Sequence, residues 1–369
     1  MNTRKVFITG GHVTPALAVI SRIKREKPDW EVVFLGRIRA LESDREDSEE
    51  FKLVRALHIR FLPVTTGRIQ RFFTAKIVLS LLKIPIGFFQ GLWYCIRERP
   101  DVILSFGGYV AVPVCVSAWV LGIPVVTHEQ TRVMGLANRF ISLFAHTVCV
   151  SFEEAGRKAG KKGAVVYTGL PIRDELFHAP VTPSFSIGSN LPILFVTGGV
   201  TGALAINEAV HSVLPILIQS FIVVHQVGSG SIDAACVWQS RVDREYRSRY
   251  IPFRFLNVSD LAWVYKHAEF VICRSGANTI GELLLLQKPG LCIPLPWSGA
   301  DEQRQNAYYL EASGLGKVLE QKDVTPNSFI HAIDDMHKHI RRYTLKQEYH
   351  VAEDPAGNIL SLINRIFLL

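Results

Sequence analysis

The sequence predicts an α/β protein made of two doubly wound domains, each built on a parallel sheet. The first observation is length, because 369 residues are about twice what one domain usually holds. The second is that short hydrophobic strand signals alternate with helical patterns along the chain, which is typical of parallel α/β architecture. The third is a weak internal repeat, in which a hydrophobic strand is followed by Gly-Gly three times.

Six strands are predicted before residue 174. They are Lys5–Thr9, Glu31–Leu35, Asp101–Ser105, Pro124–Thr127, Thr147–Val150 and Ala164–Thr168. Part of this region, Phe106–Thr127, carries no charge and is apolar enough to resemble a membrane span. Its glycines and prolines divide it into a loop, a helix of about ten residues and the start of a strand, so a buried α/β segment is predicted instead.

Six more strands are predicted in the second half. They are Ile193–Thr197, Phe221–Val227, Phe253–Leu256, Phe270–Cys273, Gly290–Ile293 and Gly316–Leu319. Residues 174–192 are rich in Pro, Gly, Ser and Asn, so they are predicted to be a linker. The expected domains are therefore 1–173 and 193–340, followed by a helical segment at 341–369. Its apolar face is formed by Ile359, Leu360, Leu362, Ile363 and Ile366.

Composition limits the class of protein. With 48% hydrophobic and 20% charged residues, the chain is folded rather than disordered. The net charge of +8 favours an anionic partner, which could be a phosphorylated ligand, an anionic membrane or nucleic acid. Six widely spaced cysteines without a C-x-x-C pair argue against a zinc site or a disulfide framework. No signal peptide fits residues 1–11.

A second apolar stretch, Ile77–Ile96, contains only one charge, Lys83. Large aromatic residues lie in and before it, among flanking Lys and Arg: Phe72, Phe73, Phe88, Phe89 and Trp93. Lys83 and Pro85 are expected to interrupt any spanning helix, whereas a segment at the membrane interface tolerates both. The stretch is therefore predicted to lie on an anionic membrane surface.

The three Gly-Gly turns are Gly10-Gly11, Gly107-Gly108 and Gly198-Gly199. Glycine after a strand lets the backbone approach a ligand, and the next helix offers free N–H groups. Because parallel sheets bind ligands at the carboxyl ends of their strands, the three turns together predict anion binding. None has the G-x-G-x-x-G or P-loop spacing, so nicotinamide chemistry and ATP hydrolysis are disfavoured.

Several motifs follow one another along the chain. They are Thr9-Gly10-Gly11-His12, Gly107-Gly108-Tyr109, His128-Glu129-Gln130, Gly135-Leu136-Ala137-Asn138, Gly198-Gly199-x-x-Gly202-Ala203, Arg274-Ser275-Gly276-Ala277 and Gln303-x-x-Asn306-Ala307. In these motifs the chain resembles the MurG family of bacterial glycosyltransferases over roughly residues 5 to 340. It departs from the family pattern at Thr131, where an Asn is usual, and at Val200, where a Ser is usual.

The resemblance implies a GT-B fold, with two Rossmann-like domains facing each other across a cleft and segment 341–369 returning toward the first domain. It implies an inverting transfer of N-acetylglucosamine from UDP-GlcNAc to the 4-hydroxyl of the muramyl sugar of lipid I, an undecaprenyl-diphosphate-linked muramyl pentapeptide, giving lipid II. It further implies a role in peptidoglycan synthesis, cell shape and cell division. The protein would bind anionic lipid peripherally at the cytoplasmic face of the bacterial plasma membrane, without nucleic acid, cofactor or metal.

The resemblance also implies roles for residues. His12 would be the catalytic base, since imidazole titrates near neutrality, although it could instead only hydrogen-bond the loop or a phosphate. The expected acceptor-binding residues are Gly107, Gly108, Tyr109, Glu129 and Asn138. The expected donor-binding residues are Thr9, Gly10, Gly11, Thr131, Arg173, Gly198, Gly199, Val200, Gly202, Val258, Ala277, Asn278, Thr279, Ile280, Gly281, Glu282 and Gln303. Among these, Glu282 would hold the ribose and Gln303 the sugar, while Val258 and Ala277 would flank the uracil.

Three other functions stay open at this level. One is a different GT-B enzyme that transfers a UDP-sugar to a lipid, and another is a UDP-GlcNAc 2-epimerase with the same two-domain architecture. The third is a membrane-bound scaffold without activity. A transfer assay with UDP-GlcNAc and lipid I separates all of them.

Overall fold

The computed structural model describes residues 3–368 except 40–46, 68–74, 158, 160–163, 200–201 and 299–300. The chain forms two compact units. The first contains Met1–Arg173 together with Ala352–Leu369, and the second contains Asp174–Val351. All strand pairs described in both units are parallel, which confirms the predicted class of two doubly wound α/β domains.

The first unit is built on a seven-stranded sheet. Its strands are β1 (Lys5–Thr9), β2 (Glu31–Gly36), β3 (Arg60–Pro63), β4 (Val102–Ser105), β5 (Val125–Glu129), β6 (Thr147–Val150) and β7 (Ala164–Tyr167). They lie in the order β3-β2-β1-β4-β5-β6-β7. The order reverses between β1 and β4, so the carboxyl ends of these two strands form the crevice where such sheets bind ligands.

Helices cover both faces of this sheet. They are α1 (Val13–Glu26), α2 (Glu49–Ala56), α3 (Ala75–Glu98), α4 (Ala111–Val120), α5 (Leu136–Ile141), α6 (Glu153–Gly156) and, from the end of the chain, α13 (Pro355–Ile366). Side chains alternate along β1, so Val6 and Ile8 pack with α1 and α13 while Phe7 packs with α4 on the other face. A continuous hydrophobic strand is therefore buried on both sides.

The second unit repeats this plan with six strands. They are β8 (Ile193–Thr197), β9 (Ile222–Gln226), β10 (Tyr250–Phe253), β11 (Ala268–Cys273), β12 (Gly290–Cys292) and β13 (Gly316–Val318). The helices are α7 (Leu204–Ser220), α8 (Ile232–Arg241), α9 (Val258–His267), α10 (Ala277–Leu285), α11 (Glu302–Ala312) and α12 (Pro326–Lys338). The strand order is β10-β9-β8-β11-β12-β13, so the reversal lies between β8 and β11.

Two strands differ from the sequence prediction. β3 was not predicted, since it is a four-residue edge strand that begins with Arg60 and ends with Pro63 and so lacks a hydrophobic run. β10 ends at Phe253, where the predicted strand began, because Val227 N–H donates to the Phe253 carbonyl and closes the pairing there. The stretch Phe106–Thr127 forms the predicted loop, ten-residue helix and strand start.

Helix α3 runs without a break through Pro85, so the expectation that Pro85 interrupts it is wrong. Pro85 removes one backbone hydrogen bond, but packing against α4 holds the helix. The close approach depends on Gly91, where an added Cβ would lie 2.9 Å from Ser117 Oγ. Among the described residues, no helix has the length and apolarity needed to cross a bilayer.

The expected linker is folded onto the second unit. Ser184 N–H donates to Asp260 Oδ1 at 2.7 Å, and the Phe185 ring lies 5.0 Å from that of Phe253 and 5.9 Å from that of Trp263. A Pro- and Ser-rich composition therefore marks a segment without a strand or a long helix, but here it is fixed by a buried carboxylate and aromatic contacts.

Candidate functional site

The first-unit crevice is formed by two glycine turns that touch each other. Gly11 N–H donates to the Gly107 carbonyl at 2.9 Å, after β1 and β4 respectively. A Cβ on Gly10 would lie 2.7 Å from the Phe106 Cβ, and one on Gly108 would lie 2.9 Å from Gly11 N. Gly107 and Gly108 have φ of +71° and +78°. Only glycine fits these positions without strain, so the two turns can pack directly against each other.

His12 lies at the N-terminus of α1, directly after this turn. Its side chain is open to solvent, and among the described residues its imidazole has no hydrogen-bond partner. Although part of the His12 surface is open to solvent, the protein around the imidazole lowers the pKa of His12 by desolvation, and the Glu129 carboxylate partly offsets this effect. The imidazole is therefore neutral near pH 7 and able to accept a proton.

Glu129, at the end of β5, is buried and satisfied by its own loop. Its Oε1 accepts hydrogen bonds from Thr131 N at 3.0 Å and Thr131 Oγ1 at 2.8 Å. Its Oε2 accepts from Gly135 N and Asn138 Nδ2, both at 2.9 Å. Asn138 Oδ1 in turn accepts from Thr127 Oγ1 at 2.8 Å. The expected contacts Glu129, Thr131 and Asn138 thus hold one another, and they shape the loop after β5.

His128 is buried next to this network. Its Nε2 lies 3.0 Å from the Gly169 carbonyl, and desolvation lowers its pKa to about 4. Its Nδ1 is buried without a hydrogen-bond partner among the described residues, as is the Thr9 hydroxyl at the end of β1. The polar groups at this edge are therefore mostly enclosed, and His12 is the exposed one.

Tyr109 follows the Gly107-Gly108 turn, and its ring forms a cation–π contact with Arg37. The Arg37 guanidinium carbon lies 4.7 Å from the centre of the Tyr109 ring. Arg37 directly follows β2, next to β1 in the sheet, so this contact adds positive charge at the carboxyl edge of the first unit.

The second unit has a cavity of about 530 Å³ at the corresponding edge. Its lining includes first-turn residues of α7, α10 and α11, namely Leu204, Thr279 and Gln303. The N-termini of three helices thus border one cavity, next to the strand reversal between β8 and β11. Such ends provide free N–H groups and partial positive charge for an anion.

The turn after β8 is the glycine loop of this cavity. Gly199 and Gly202 have φ of +81° and +77°, and a Cβ on Gly202 would lie 2.2 Å from the Val227 carbonyl oxygen. A Cβ on Gly199 would meet nothing within 4 Å, so this residue borders open space. Gln226 Nε2 supports the loop by donating to the Gly199 carbonyl at 3.1 Å. Val200 lies outside the described residues.

Arg274 and Gln303 belong to the polar part of the cavity lining, together with Glu208, Thr279 and Gln321. Arg274 Nη1 donates to the Ile293 carbonyl at 2.9 Å and Nη2 to Gln321 Oε1 at 2.6 Å, which fixes the guanidinium in place. Burial lowers the pKa of Arg274. Gln303 Oε1 accepts from Leu295 N at 3.0 Å, and its Nε2 has no partner among the described residues. A fixed cation and an available amide donor therefore face the ligand space.

Glu282 lies on α10, two residues from the core residue Ile280. Tyr265 OH donates to Glu282 Oε2 at 2.7 Å. The described lining of the cavity includes Thr279 but neither Glu282 nor Ala277. The expected contact between Glu282 and the ribose therefore stays a prediction.

The remaining expected donor residues differ in position. The described lining includes Gly198, Gly199, Gly202, Thr279 and Gln303. Ile280 and Gly281 are buried on the inner face of α10, while Val258 begins α9. Asn278 Oδ1 and Arg173 Nε are buried without partners among the described residues, and Arg173 belongs to the first unit. Thr9, Gly10, Gly11 and Thr131 also belong to the first unit.

Sequence reasoning did not assign nine of the residues that line the cavity, and these include the side chains of Leu204, Glu208, Arg274, Trp297 and Gln321. Arg274 stands in a motif that was identified, so its position could have suggested this role. Trp297 and Gln321 carry no such signal, because loop folding alone brings them to the cavity. Among the described residues, no group of three or more His, Cys, Asp or Glu side chains is arranged to hold a metal ion.

The membrane prediction falls on α3. Its outer face exposes Ile86, Phe89, Trp93 and Ile96, with Phe89 65% and Trp93 53% exposed. Phe88 is half-buried, while Phe72 and Phe73 lie outside the described residues. Trp119 and Val120, at the end of the adjacent α4, are exposed as well. We call the exposed residues Ile86, Phe89, Trp93, Ile96, Trp119 and Val120 the apolar stripe of the first unit.

Comparison with known proteins is consistent along the chain. The glycosyltransferase family 28 N-terminal domain matches residues 9–150, and the glycosyltransferase family 28 C-terminal domain matches residues 193–357. A UDP-N-acetylglucosamine–N-acetylmuramyl-(pentapeptide) pyrophosphoryl-undecaprenol N-acetylglucosamine transferase from Clostridium kluyveri is 32% identical, over 98% of this chain and 99% of the relative.

Two solved structures show the same fold. The crystal structure of Acinetobacter baumannii MurG matches with a TM-score of 0.70 at 23% identity, over 98% of this chain and 99% of that one. A UDP-GlcNAc 2-epimerase from Neisseria meningitidis, bound to UDP-GlcNAc, matches with a TM-score of 0.66 at 14% identity, over 99% of both chains. At these identities the likeness shows the fold alone, so the sequence relatives distinguish the families.

Proposed function

The chain belongs to the MurG family of N-acetylglucosamine transferases, within glycosyltransferase family 28. On this basis we propose a role for the carboxyl edge of each of its two sheets. The enzyme transfers N-acetylglucosamine from UDP-GlcNAc to lipid I and gives lipid II. Its product is a precursor of peptidoglycan. The open questions are which residues perform the transfer and where the protein meets its lipid substrate.

The donor is assigned to the second unit, and the cavity bordered by three helix N-termini carries this assignment. The diphosphate would lie at the Gly198–Gly202 turn, where N–H groups and helix dipoles oppose its charge. Negative charge on the UDP grows as the bond from C1 to the phosphate oxygen breaks. Fixed dipoles and the Arg274 cation would stabilise it without a metal ion or cofactor.

The acceptor is assigned to the first unit, with His12 as general base. The oxygen of the muramyl 4-hydroxyl forms the new bond to C1, while its proton passes to the neutral imidazole. The electrons of the broken bond leave with UDP, and because the hydroxyl attacks the face of C1 opposite to UDP, the configuration at C1 is inverted. The lowered pKa of His12 supports this role, because an imidazole that is already neutral can accept the proton at pH 7. The hydrogen-bond network around Glu129 holds the charge of this carboxylate near the imidazolium that forms on His12.

The membrane assignment rests on the apolar stripe. Its rings project from α3 and α4, while the chain as a whole carries a net charge of +8. Aromatic rings at the headgroup boundary, helped by basic residues on an anionic leaflet, would hold the protein peripherally at the cytoplasmic face. This position suits an enzyme whose acceptor is anchored in the bilayer, and the anionic partner is then lipid rather than nucleic acid.

The test uses the purified protein with radiolabelled UDP-GlcNAc and lipid I, followed by extraction of the lipid phase. Label is expected in the lipid phase only when lipid I is present. Label in a diacylglycerol acceptor would indicate another lipid glycosyltransferase. Release of a free epimerised sugar without lipid would indicate an epimerase, and no turnover with either substrate would indicate a scaffold.

A further inference from the structure

The donor cavity has an apolar side as well as a polar one. Leu204 and Trp297 both line it, yet they are 65% and 74% exposed. Exposed apolar side chains are common singly on a surface, but these two share one concave site with Leu295. The cavity thus combines an apolar wall with the fixed Arg274 cation and the Gln303 amide, which is the composition of a small-molecule site.

The loop that carries Trp297 is held firmly at its backbone. Ser298 N–H donates to the Leu295 carbonyl at 3.3 Å, and Gln303 N–H donates to Ser298 Oγ at 3.2 Å. Leu295 N–H donates to Gln303 Oε1 at 3.0 Å. These bonds tie the turn to the start of α11 on both sides of Trp297. The indole is therefore presented to the cavity by a fixed backbone although the ring itself is exposed.

We infer that Trp297 is a specificity residue that receives the apolar face of the donor's N-acetylglucosamine ring. This inference rests on the proposed UDP-GlcNAc donor. The charged end of that donor belongs at the helix N-termini, so an aromatic wall suits its uncharged part. Of the uncharged parts, N-acetylglucosamine is the one expected next to Gln303, which is bonded to Leu295 and Ser298 on either side of Trp297. The C–H groups of a pyranose and its acetamido methyl bind an aromatic face and cost little desolvation.

The alternative is an indole that contacts the uracil or only solvent. Because UDP contains the uracil, the ribose and the diphosphate but no N-acetylglucosamine, UDP binding reports contacts to the nucleotide alone. The difference between UDP-GlcNAc and UDP then isolates the sugar contact, whatever the absolute affinity of the cavity.

The experiment measures the dissociation constants of UDP-GlcNAc and UDP by calorimetry for the full-length protein and three variants. Trp297→Ala is expected to weaken UDP-GlcNAc about tenfold and UDP less than about twofold. Trp297→Phe should recover most of the loss, since it keeps an aromatic face. Trp238→Phe is the matched control, because Trp238 lies on α8 outside the described cavity lining. UDP-GlcNAc should also change the fluorescence of the wild type and of Trp238→Phe more than that of Trp297→Phe.

Each other outcome overturns the inference in a distinguishable way. Equal losses for UDP and UDP-GlcNAc would assign Trp297 to the nucleotide, and unchanged affinities in Trp297→Ala would remove it from the site. In both cases the proposed donor stands, because the wild type still binds it. If the wild-type protein binds neither compound, the proposed donor itself is wrong and the inference falls with it.

Discussion

The carboxyl edges of the two sheets are built alike but filled differently. In the first unit, polar side chains bond to one another, and the Glu129 carboxylate accepts four hydrogen bonds from its own loop. In the second unit, three helix N-termini border an open cavity, and Gln303 Nε2 points to no partner among the described residues. The first edge thus contains a closed hydrogen-bond network and the exposed His12, whereas the second edge contains an open cavity.

This difference indicates a division of labour. A transferred proton leaves a positive charge on its acceptor, and the Glu129 carboxylate, fixed in its network, favours that charge on His12. A nucleotide sugar needs many donors that bond only when it arrives, so they stay available in its absence. Substitutions at the first edge should therefore affect the chemical step or stability, while those at the second should affect binding.

The sharpest test of the comparison is His12→Ala. It should lower kcat by roughly 10²- to 10⁴-fold while the affinity for UDP-GlcNAc stays nearly unchanged, since the base acts on the acceptor. Steady-state kinetics and calorimetry measure the two quantities. His146→Ala, an exposed histidine of the same unit, is the control and should keep wild-type turnover. Wild-type kcat in His12→Ala would leave His12 with a structural role only.

The pH dependence of kcat/KM follows from the same residue. A general base must be neutral, and the pKa of His12 is lowered, so activity should fall only as the pH drops below the usual histidine range. The acidic limb of the wild-type profile should be absent in His12→Ala. An acidic limb that persists at the same pH would assign it to another group.

The next largest effect is expected for Glu129→Ala, as a loss of stability. Removing the carboxylate leaves Thr131 N and Gly135 N without their acceptor and takes one of two acceptors from Asn138 Nδ2, so the free energy of unfolding should fall by about 3 kcal/mol. Urea titration measures it. Glu154→Ala is the control, because that half-exposed residue only pairs with Arg132 and should cost less than about 1 kcal/mol. Equal losses would mean that the network does not support the edge.

Glu282→Ala tests the second edge. If Glu282 accepts both ribose hydroxyls, the variant should bind UDP-GlcNAc roughly 2 to 3 kcal/mol more weakly, and a 2′-deoxy donor should lose much less. Tyr265→Phe removes the hydroxyl that holds Glu282 Oε2 and should weaken binding only a fewfold. Calorimetry with both donors measures these changes. Equal losses for the two donors would exclude Glu282 from the ribose.

The smallest effect concerns the apolar stripe, which belongs to the first unit alone. The double variant Phe89→Ser, Trp93→Ser should bind vesicles with anionic lipid about tenfold more weakly, because two interfacial rings are lost. High salt should release part of the wild-type protein. Phe88 is kept because it is half-buried. Co-sedimentation measures binding, and Val237→Ser, an exposed site on α8, is the control.

Donor affinity should not change in the stripe variant, since the cavity lies in the other unit. Co-sedimentation that changes neither with lipid charge nor with the two substitutions would show that the apolar stripe does not contact the membrane. Helix α3 would then be only a helix of the domain core.

Sequence patterns predicted the strands that are buried on both faces, because continuous hydrophobic runs ending in Gly-Gly identify them. They predicted the glycine turns that end three of those strands, while anion binding at these turns stays a prediction. They could not predict that Glu129 bonds within its own loop, because its donors lie at Thr131, Gly135 and Asn138 and meet it only when the loop closes. The sequence did not predict Trp297 as a cavity residue for a similar reason, because its position depends on hydrogen bonds between its loop and α11.

Helix α13 belongs to the core of the first unit, although the whole second unit precedes it in the sequence. Ala356, Ile359, Leu360 and Ile363 are buried among α1 and the first sheet, although they are among the last residues of the chain. During synthesis the ribosome releases them after every residue of the second unit. The second unit can therefore finish folding as soon as it emerges, while the first, begun earlier, exposes part of α1 until α13 emerges. A nascent chain cut short before α13 would present that uncovered face to chaperones and proteases.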